Sequence, residues 1–421
     1  MKTFLNKVKK NPMFYVFLAI MILFLPIALF REPDSSRRLI ITALAIDKQE
    51  NEFEVSALCF IPVSTTTFKE NYKIISASDK TFVEALNKIG LYSGRISALP
   101  HTSVVVVSEQ VMENDMLNCL NHLARTSNLG NNTVVIGTNK SAKQLLEITN
   151  DLDSSANLSL KDLLSYNYQY LYGNQSNLES FYRGYFSPTK TSILGFMKLD
   201  ENKGIEVDGK SQDLGGEGSS NSAKENASPG MEAQDSSINQ KILNDGSACI
   251  FKDGKLITLL DGSMVEYYNW INNQQNKSIL TIEDYTHGPF KNAKLSFQIE
   301  QKPVLHVAKF VDNVPQMDYI VNFVLTLDEV NQQKYHPGNF DLGQKVFTPE
   351  LERKIQNNVK NDFSKLLNIL RDNKLDVIDV QKTFFHQDKQ KFQKFLDTLD
   401  DKDDYLRYVN FNIVTNVVLK A

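Results

Sequence analysis

Two apolar runs open the folded part of the chain. Leu39 to Ile46, LIITALAI, is followed by the polar stretch Asp47–Asn51. Phe53, Val55, Ala57, Cys59 and Ile61 then alternate with mostly polar neighbours, so the pattern predicts a β-hairpin. Thr81 and Glu84 stand at capping-box spacing, and Phe82, Leu86 and Ile89 fall on one helical face that Gly90 and Gly94 close. Pro100 biases Leu99 toward extended backbone ahead of the four valines Val104 to Val107. A β-branched run apolar on both faces predicts a strand inside a sheet, covered on both sides. Met116, Leu117, Leu120, Leu123 and Ala124 predict a helix, Thr133 to Gly137 a strand, and Ser141 to Ile148 another helix. Strand and helix thus alternate across Leu39–Ile148, which predicts a mixed α/β layer with some parallel pairing.

The middle of the chain is less regular. Asp151 to Tyr185 reads as helix plus loop, and its aromatic segment Tyr166 to Gln175 is expected to pack a satellite core. Asp208 to Asn239 has almost no large apolar residue and is read as a disordered insertion. Strand-like SILGFM, Ser192 to Met197, precedes it, and ACIF, Ala248 to Phe251, follows it. Lys252-Asp-Gly-Lys255 is a hairpin turn signal leading into Leu256 to Leu260. Met264 to Ile271 reads as a short helix that carries Trp270, the only tryptophan.

The last third alternates more strictly. Ala293, Leu295, Phe297 and Ile299, then Tyr319, Val321, Phe323, Leu325 and Leu327, predict strands with one wet and one buried face, as in an antiparallel sheet. Thr348-Pro349 is a strong helix opening, and Leu351, Ile355, Val359, Phe363, Leu366 and Leu370 make one long stripe. Val377 to Phe384 is expected as a strand, Lys389 to Leu399 as a helix, and Val409 to Leu419 as the last strand.

The amino terminus changes the setting. Lys2, Lys7, Lys9 and Lys10 precede Met13 to Phe30, an apolar run of the length needed to span a bilayer core. Ala28-Leu-Phe-Arg31 lacks the small residues of a signal-peptidase exit, so an uncleaved signal anchor is expected. The lysines favour a cytoplasmic amino terminus and an extracytoplasmic body. The expected fold class is therefore mixed α/β or α+β, with three small domains after an N-terminal transmembrane helix and a C-terminal antiparallel sheet packed with a long helix. The division is 1–31 anchor, 38–200 first domain, 201–241 disordered insertion, 242–290 second domain or completion of the first, and 291–421 C-terminal domain.

Composition excludes more than it assigns. Apolar content of 42% and charged content of 23% are globular values, and a net charge of −4 argues against a nucleic-acid partner. Cys59, Cys119 and Cys249 lie far apart in apolar or helical segments and read as buried inert thiols. The six histidines, His101, His122, His287, His306, His336 and His386, show no metal-ligand spacing, and no nucleophile elbow or P-loop is present. Asp400, Asp401, Asp403 and Asp404 lack the glycine and the closing Glu of a calcium loop and read as a solvated turn. His101, just before the valines, is expected to be structural. No catalytic, cofactor-binding or metal-ligating residue is assigned, and the chain is expected to be no enzyme and to need no cofactor or metal.

The order of these parts resembles the C subunit of spore germinant receptors. Leu44-Ala-Ile-Asp-Lys48 resembles that family's first-strand segment, and Thr81-Phe-Val-Glu-Ala85 its helix opening. His101 with Val104 to Val107 and Glu109 resembles its histidine, apolar strand and glutamate. Gly246 to Leu256 resembles its glycine-led hairpin, and the long helix followed by Leu375 to Asp379 and a last strand resembles its closing domain. The resemblance implies a three-domain, non-enzymatic subunit that works with two membrane partners in a nutrient-responsive receptor at the spore inner membrane. The chain departs from the family in lacking a cysteine directly after the signal, so the helix itself would be the anchor. Phe385, Phe392 and Phe395 stand where the family tends to carry tryptophans. An envelope hydrolase with a composite site, and a scaffold or ligand-binding module outside spores, are the alternatives.

Overall fold

The computed structural model describes residues 38–60, 72–126, 129–152, 177–200, 241–243, 245–274, 277–288, 290–331 and 346–420, with a few positions between 13 and 20. The Asp208–Asn239 segment and Tyr166–Gln175 lie outside the described residues. So does most of the expected anchor, of which Met13, Tyr15, Val16, Ala19 and Ile20 are described, as helical and exposed. Among the described residues no helix is long and apolar enough to cross a membrane.

Two sheets with helices against them make a mixed α+β fold. The first sheet contains β1 (Arg38–Gln49), β2 (Glu52–Phe60), β3 (Tyr72–Asp79), β4 (Ile96–Ala98), β5 (Val104–Ser108), β6 (Val134–Thr138), β7 (Thr191–Asp200), β8 (Lys241–Leu243), β9 (Ala248–Lys252) and β10 (Lys255–Leu260). Its order is β10-β9-β7-β6-β5-β1-β2-β3, with β4 beside β1 and β8 beside β7. The centre is parallel: β1 with β5, β5 with β6, and β6 with β7. Parallel neighbours need crossovers. Helices α2 (Glu109–Asn114) and α3 (Met116–Thr126) supply one between β5 and β6. Helices α4 (Ala142–Leu152) and α5 (Leu178–Tyr185) lie between β6 and β7. The flanks are antiparallel hairpins, β1–β2 and β9–β10. Asp253 and Gly254 turn the second hairpin with φ of 51° and 77°, the two positive values a two-residue turn of this hand demands.

Every residue of β5 is buried, because the sheet is covered on both faces. Val105 and Val107 join one core with Leu44, Leu120 and Phe181, while Val104 and Val106 join the other with Leu58, Leu145 and Met197. Helix α1 (Phe82–Ser93) covers β3 and is fixed at both ends by local sequence. The Thr81 hydroxyl accepts the Glu84 amide at 3.2 Å, and Gly94 stops the helix at φ 64°.

The second sheet runs β11 (Lys277–His287), β12 (Phe290–Val311), β13 (Val314–Asn331) and β14 (Asn410–Lys420) in that order. The antiparallel expectation holds for its first three strands. The fourth is parallel to β13, because two helices, α7 (Pro349–Asp372) and α8 (Val380–Leu396), carry the chain back before it re-enters the sheet. Helix α7 buries Leu351, Ile355, Val359, Phe363, Leu366 and Leu370, the stripe read from the sequence. Together with α6 (Gly262–Ile271) it covers one face only. Trp270 sits fully buried there, with ring centroids 4.9 Å from Tyr267 and 4.8 Å from Phe323.

The strand expected at Val377–Phe384 is a correction: α8 begins at Val380. The Asp376 carboxylate accepts the amides of Val380 at 2.8 Å and Gln381 at 2.9 Å, which stabilises a helical first turn. Val380 and Phe384, both buried, then lie one helical turn apart.

The two sheets share a core. Cys249 and Phe251 of β9 face the first sheet's core, while Ala248 and Ile250 of the same strand pack with Trp270 and the second sheet.

Candidate functional site

The chemistry-bearing residues singled out in the sequence do not converge. His101 lies exposed on the turn that leads into β5. The register of that strand is held by its neighbours: the Thr102 hydroxyl donates to the Ile41 carbonyl at 3.1 Å, and the Ser103 amide donates to Thr42 at 2.9 Å. The three cysteines are free and buried. Burial pushes the Cys59 and Cys119 thiols up to about 12 and raises that of Cys249 further, so all three stay protonated and unreactive at neutral pH. Among the described residues no group of three or more His, Cys, Asp or Glu is placed to hold a metal ion.

The acidic turn is spent on local contacts. Asp401 accepts the Asp403 amide at 3.0 Å and pairs with Lys374 at 2.6 Å. Asp403 pairs with Lys252 at 2.9 Å, and Asp404 with Arg407 at 3.3 Å.

Two of the buried carboxylates that sequence reasoning missed play one role. Asp47, at the end of β1, accepts the amides of Ala142 at 2.7 Å and Lys143 at 2.9 Å and the Ser141 hydroxyl at 3.2 Å. It caps α4 from 95 residues away, so no local pattern reveals it. Asp376 caps α8 and also accepts the Tyr405 hydroxyl. Loss of water raises both carboxyls, and the hydrogen bonds they accept pull the other way. Asp376 also marks the joint between the sheets. Its backbone carbonyl accepts the Thr191 hydroxyl of β7 at 2.7 Å, and Lys252 of β9 reaches the Lys374 carbonyl at 3.3 Å.

Two surfaces stand out instead. The first is a groove of about 530 Å³ where α8 breaks at Asp388, whose φ of −155° and ψ of 85° are not helical. The Asp388 carboxylate accepts the Lys391 amide at 2.9 Å and so restarts the helix. Phe310, Asn313, Lys391, Lys394 and Phe395 line the groove, with the Lys391 ammonium 4.7 Å above the Phe310 ring. Of the three phenylalanines noted in the sequence, Phe395 reaches this groove. Phe392 is buried and stacks on Phe384 at 4.7 Å, with Phe385 edge-on to it. The second surface is the outer face of the second sheet, where Leu305 and Val307 of β12 and Val414 and Val418 of β14 are exposed on either side of β13. Asn416 donates to Asn322 at 2.9 Å among them. Charge at the sheet's end is neutralised: Lys309, Gln316 and Asn412 all donate to Asp318, and these bonds outweigh its burial and lower its carboxyl. Such a face and groove can bind a partner through packing and hydrogen bonds.

Comparison with known proteins adds the lineage. Residues 33–199 match the family model of the spore germination protein N-terminal domain. Residues 245–420 match that of the spore germination B3/GerAC-like C-terminal domain. The Asp208–Asn239 segment falls between the two matches. A crystal structure of the GerBC protein superposes with a TM-score of 0.50 at 13% identity, covering 90% of this chain and 97% of that one, a likeness of fold. No curated protein matches the chain.

Proposed function

The chain belongs to the spore germination family of germinant receptor C subunits, and from that premise we propose that it is a membrane-anchored, extracytoplasmic subunit of a nutrient germinant receptor. It acts through protein contacts and not through catalysis. The observation that carries this reading is the order of the two family matches, which together take in most of the chain beyond residue 32. The apolar run Met13–Phe30 after four lysines supports an anchor, with the body on the far side of the spore inner membrane. Two membrane receptor subunits are the partners. The exposed outer face of the second sheet and the groove beside Phe310 are the surfaces suited to them.

Deletion of the gene, followed by scoring of germination with several nutrients, tests the proposal. Loss of the response to at least one nutrient, restored by the intact gene, is the expected result. Unchanged germination under every trigger counts against it.

A further inference from the structure

Among the described residues six strands have a neighbour on one side only; β4 and β8 are three residues long, and of the four longer ones three are visibly guarded. Edge β3 carries Lys73 and Asp79, and Lys88 donates to its Ser78 carbonyl at 3.0 Å. Edge β10 is six residues long and interrupted by a register shift at Leu256/Thr258. Edge β11 has two register shifts, the charges Glu283 and Asp284, and Lys354 donating to the Glu283 carbonyl at 2.8 Å. Bulges, charges and capped carbonyls are the devices that stop sheets from pairing edge to edge.

Edge β14 has none of them ahead of its last residue, Lys420. It runs eleven residues in unbroken register with β13, from Asn410 opposite Gln316 to Lys420 opposite Thr326. NFNIVTNVVLK holds no proline and no charge before its final lysine. Among the described residues no strand pairs with its far side. Val414 and Val418 on its outer face are 39% and 56% exposed.

The strand is also self-complementary. An antiparallel pairing centred on Thr415 sets Ile413 opposite Val417 and Phe411 opposite Leu419 on the helix-covered face. Val414 meets Asn416 on the outer face, and Asn412 meets Val418. Thr415 itself meets its own copy. Its hydroxyl is buried and finds no hydrogen-bond partner among the described residues, and facing threonines across a strand pair hydrogen-bond to each other. A ladder of this length is about 36 Å long. It supplies on the order of ten backbone hydrogen bonds, the number found in a typical specific interface.

We propose that the occupant of this edge is a second copy of the chain, and that two second sheets join through β14 about a twofold axis into one continuous eight-stranded sheet. Each copy then covers the other's open edge, and the unguarded sequence of β14 follows from its being covered.

The test uses the full-length protein in detergent, with its mass followed by sedimentation across the micromolar range. The unaltered chain is expected to dimerise. In the double variant Val414→Lys/Val418→Lys the new charges stand on exposed positions, so the single chain tolerates them. In the dimer four lysines cluster around the axis and weaken association by about tenfold or more. The matching Val414→Glu/Val418→Glu variant is also weakened, and mixing the two restores a dimer, which a misfolded chain would not do. A chain that stays monomeric throughout, a dimer indifferent to the lysines, or a pair of variants that fails to recover on mixing overturns the proposal.

Discussion

Strands β5 and β14 are built from similar residues, yet the protein treats them in opposite ways. In β5 four consecutive valines are fully buried, because helices cover both faces of the first sheet and strands flank it on both edges. In β14 only Ile413 and Val417 are buried, because among the described residues the second sheet has helices on one face and β14 has a strand on one side. The difference teaches where the molecule keeps surface in reserve. The first sheet buries its apolar residues on both faces, whereas the second leaves part of its apolar surface exposed.

The sharpest way to break that comparison is to put the same charge in both places. Val106→Lys buries an unpaired ammonium between two covered faces and costs roughly 5 kcal/mol or more, comparable with the whole stability of a domain. Loss of a cooperative urea transition is the expected readout. On the covered face of the second sheet, Trp270→Ala removes the largest fully buried side chain from its cluster with Tyr267, Phe323 and Phe363. A loss of about 3–5 kcal/mol in the same measurement is expected. A much smaller loss from Trp270→Ala would show that this side is as loosely held as the open face.

Glu266 gives the comparison a pH axis. Burial beside α7 lifts its carboxyl from 4.5 to about 7, with the Asp362 charge adding and the Ser278 hydroxyl bond opposing. The folded chain therefore holds this proton more tightly than the unfolded chain does. The stability it contributes is greatest below about pH 4.5 and falls as pH rises to about 7, by on the order of 3 kcal/mol. Glu266→Gln is expected to flatten that slope, read as the difference between the two proteins' urea midpoints at pH 5 and pH 7.5. An identical pH dependence in both proteins would contradict the assignment. The smallest effect closes the series. Val418→Lys on the open face of β14 changes stability by no more than about 0.5 kcal/mol, although it disturbs self-association.

Much of this fold is written locally. Thr81 with Glu84, Thr348 with Pro349, and Asp253 with Gly254 each act within three residues of the backbone they organise, so helix starts and the hairpin turn are legible one segment at a time. Strict alternation marks β12, β13 and β14 of the second sheet but not β11, and the unbroken valines mark the covered centre of the first. The segment Val377–Phe384 was misleading because Ile378 and Val380 fit a strand's period, while the group that starts the helix is Asp376, itself held by Tyr405 and joined to Thr191. The candidate surfaces were less legible still. Phe395 and Lys391 line a groove with Phe310, more than 80 positions away in the chain, and exposure is a property of what fails to pack there.

The sequence by itself determined the kind and order of most elements, the family to which that order belongs, and which positions along each element are apolar. Only the tertiary structure decided that β14 runs parallel to β13, that Asp47 caps a helix 95 residues away, and which long edge strand is left bare. The reason lies in reach. Backbone propensity, capping and periodicity act over a turn or two of chain, whereas strand direction, remote caps and open edges depend on which distant segments come to lie side by side.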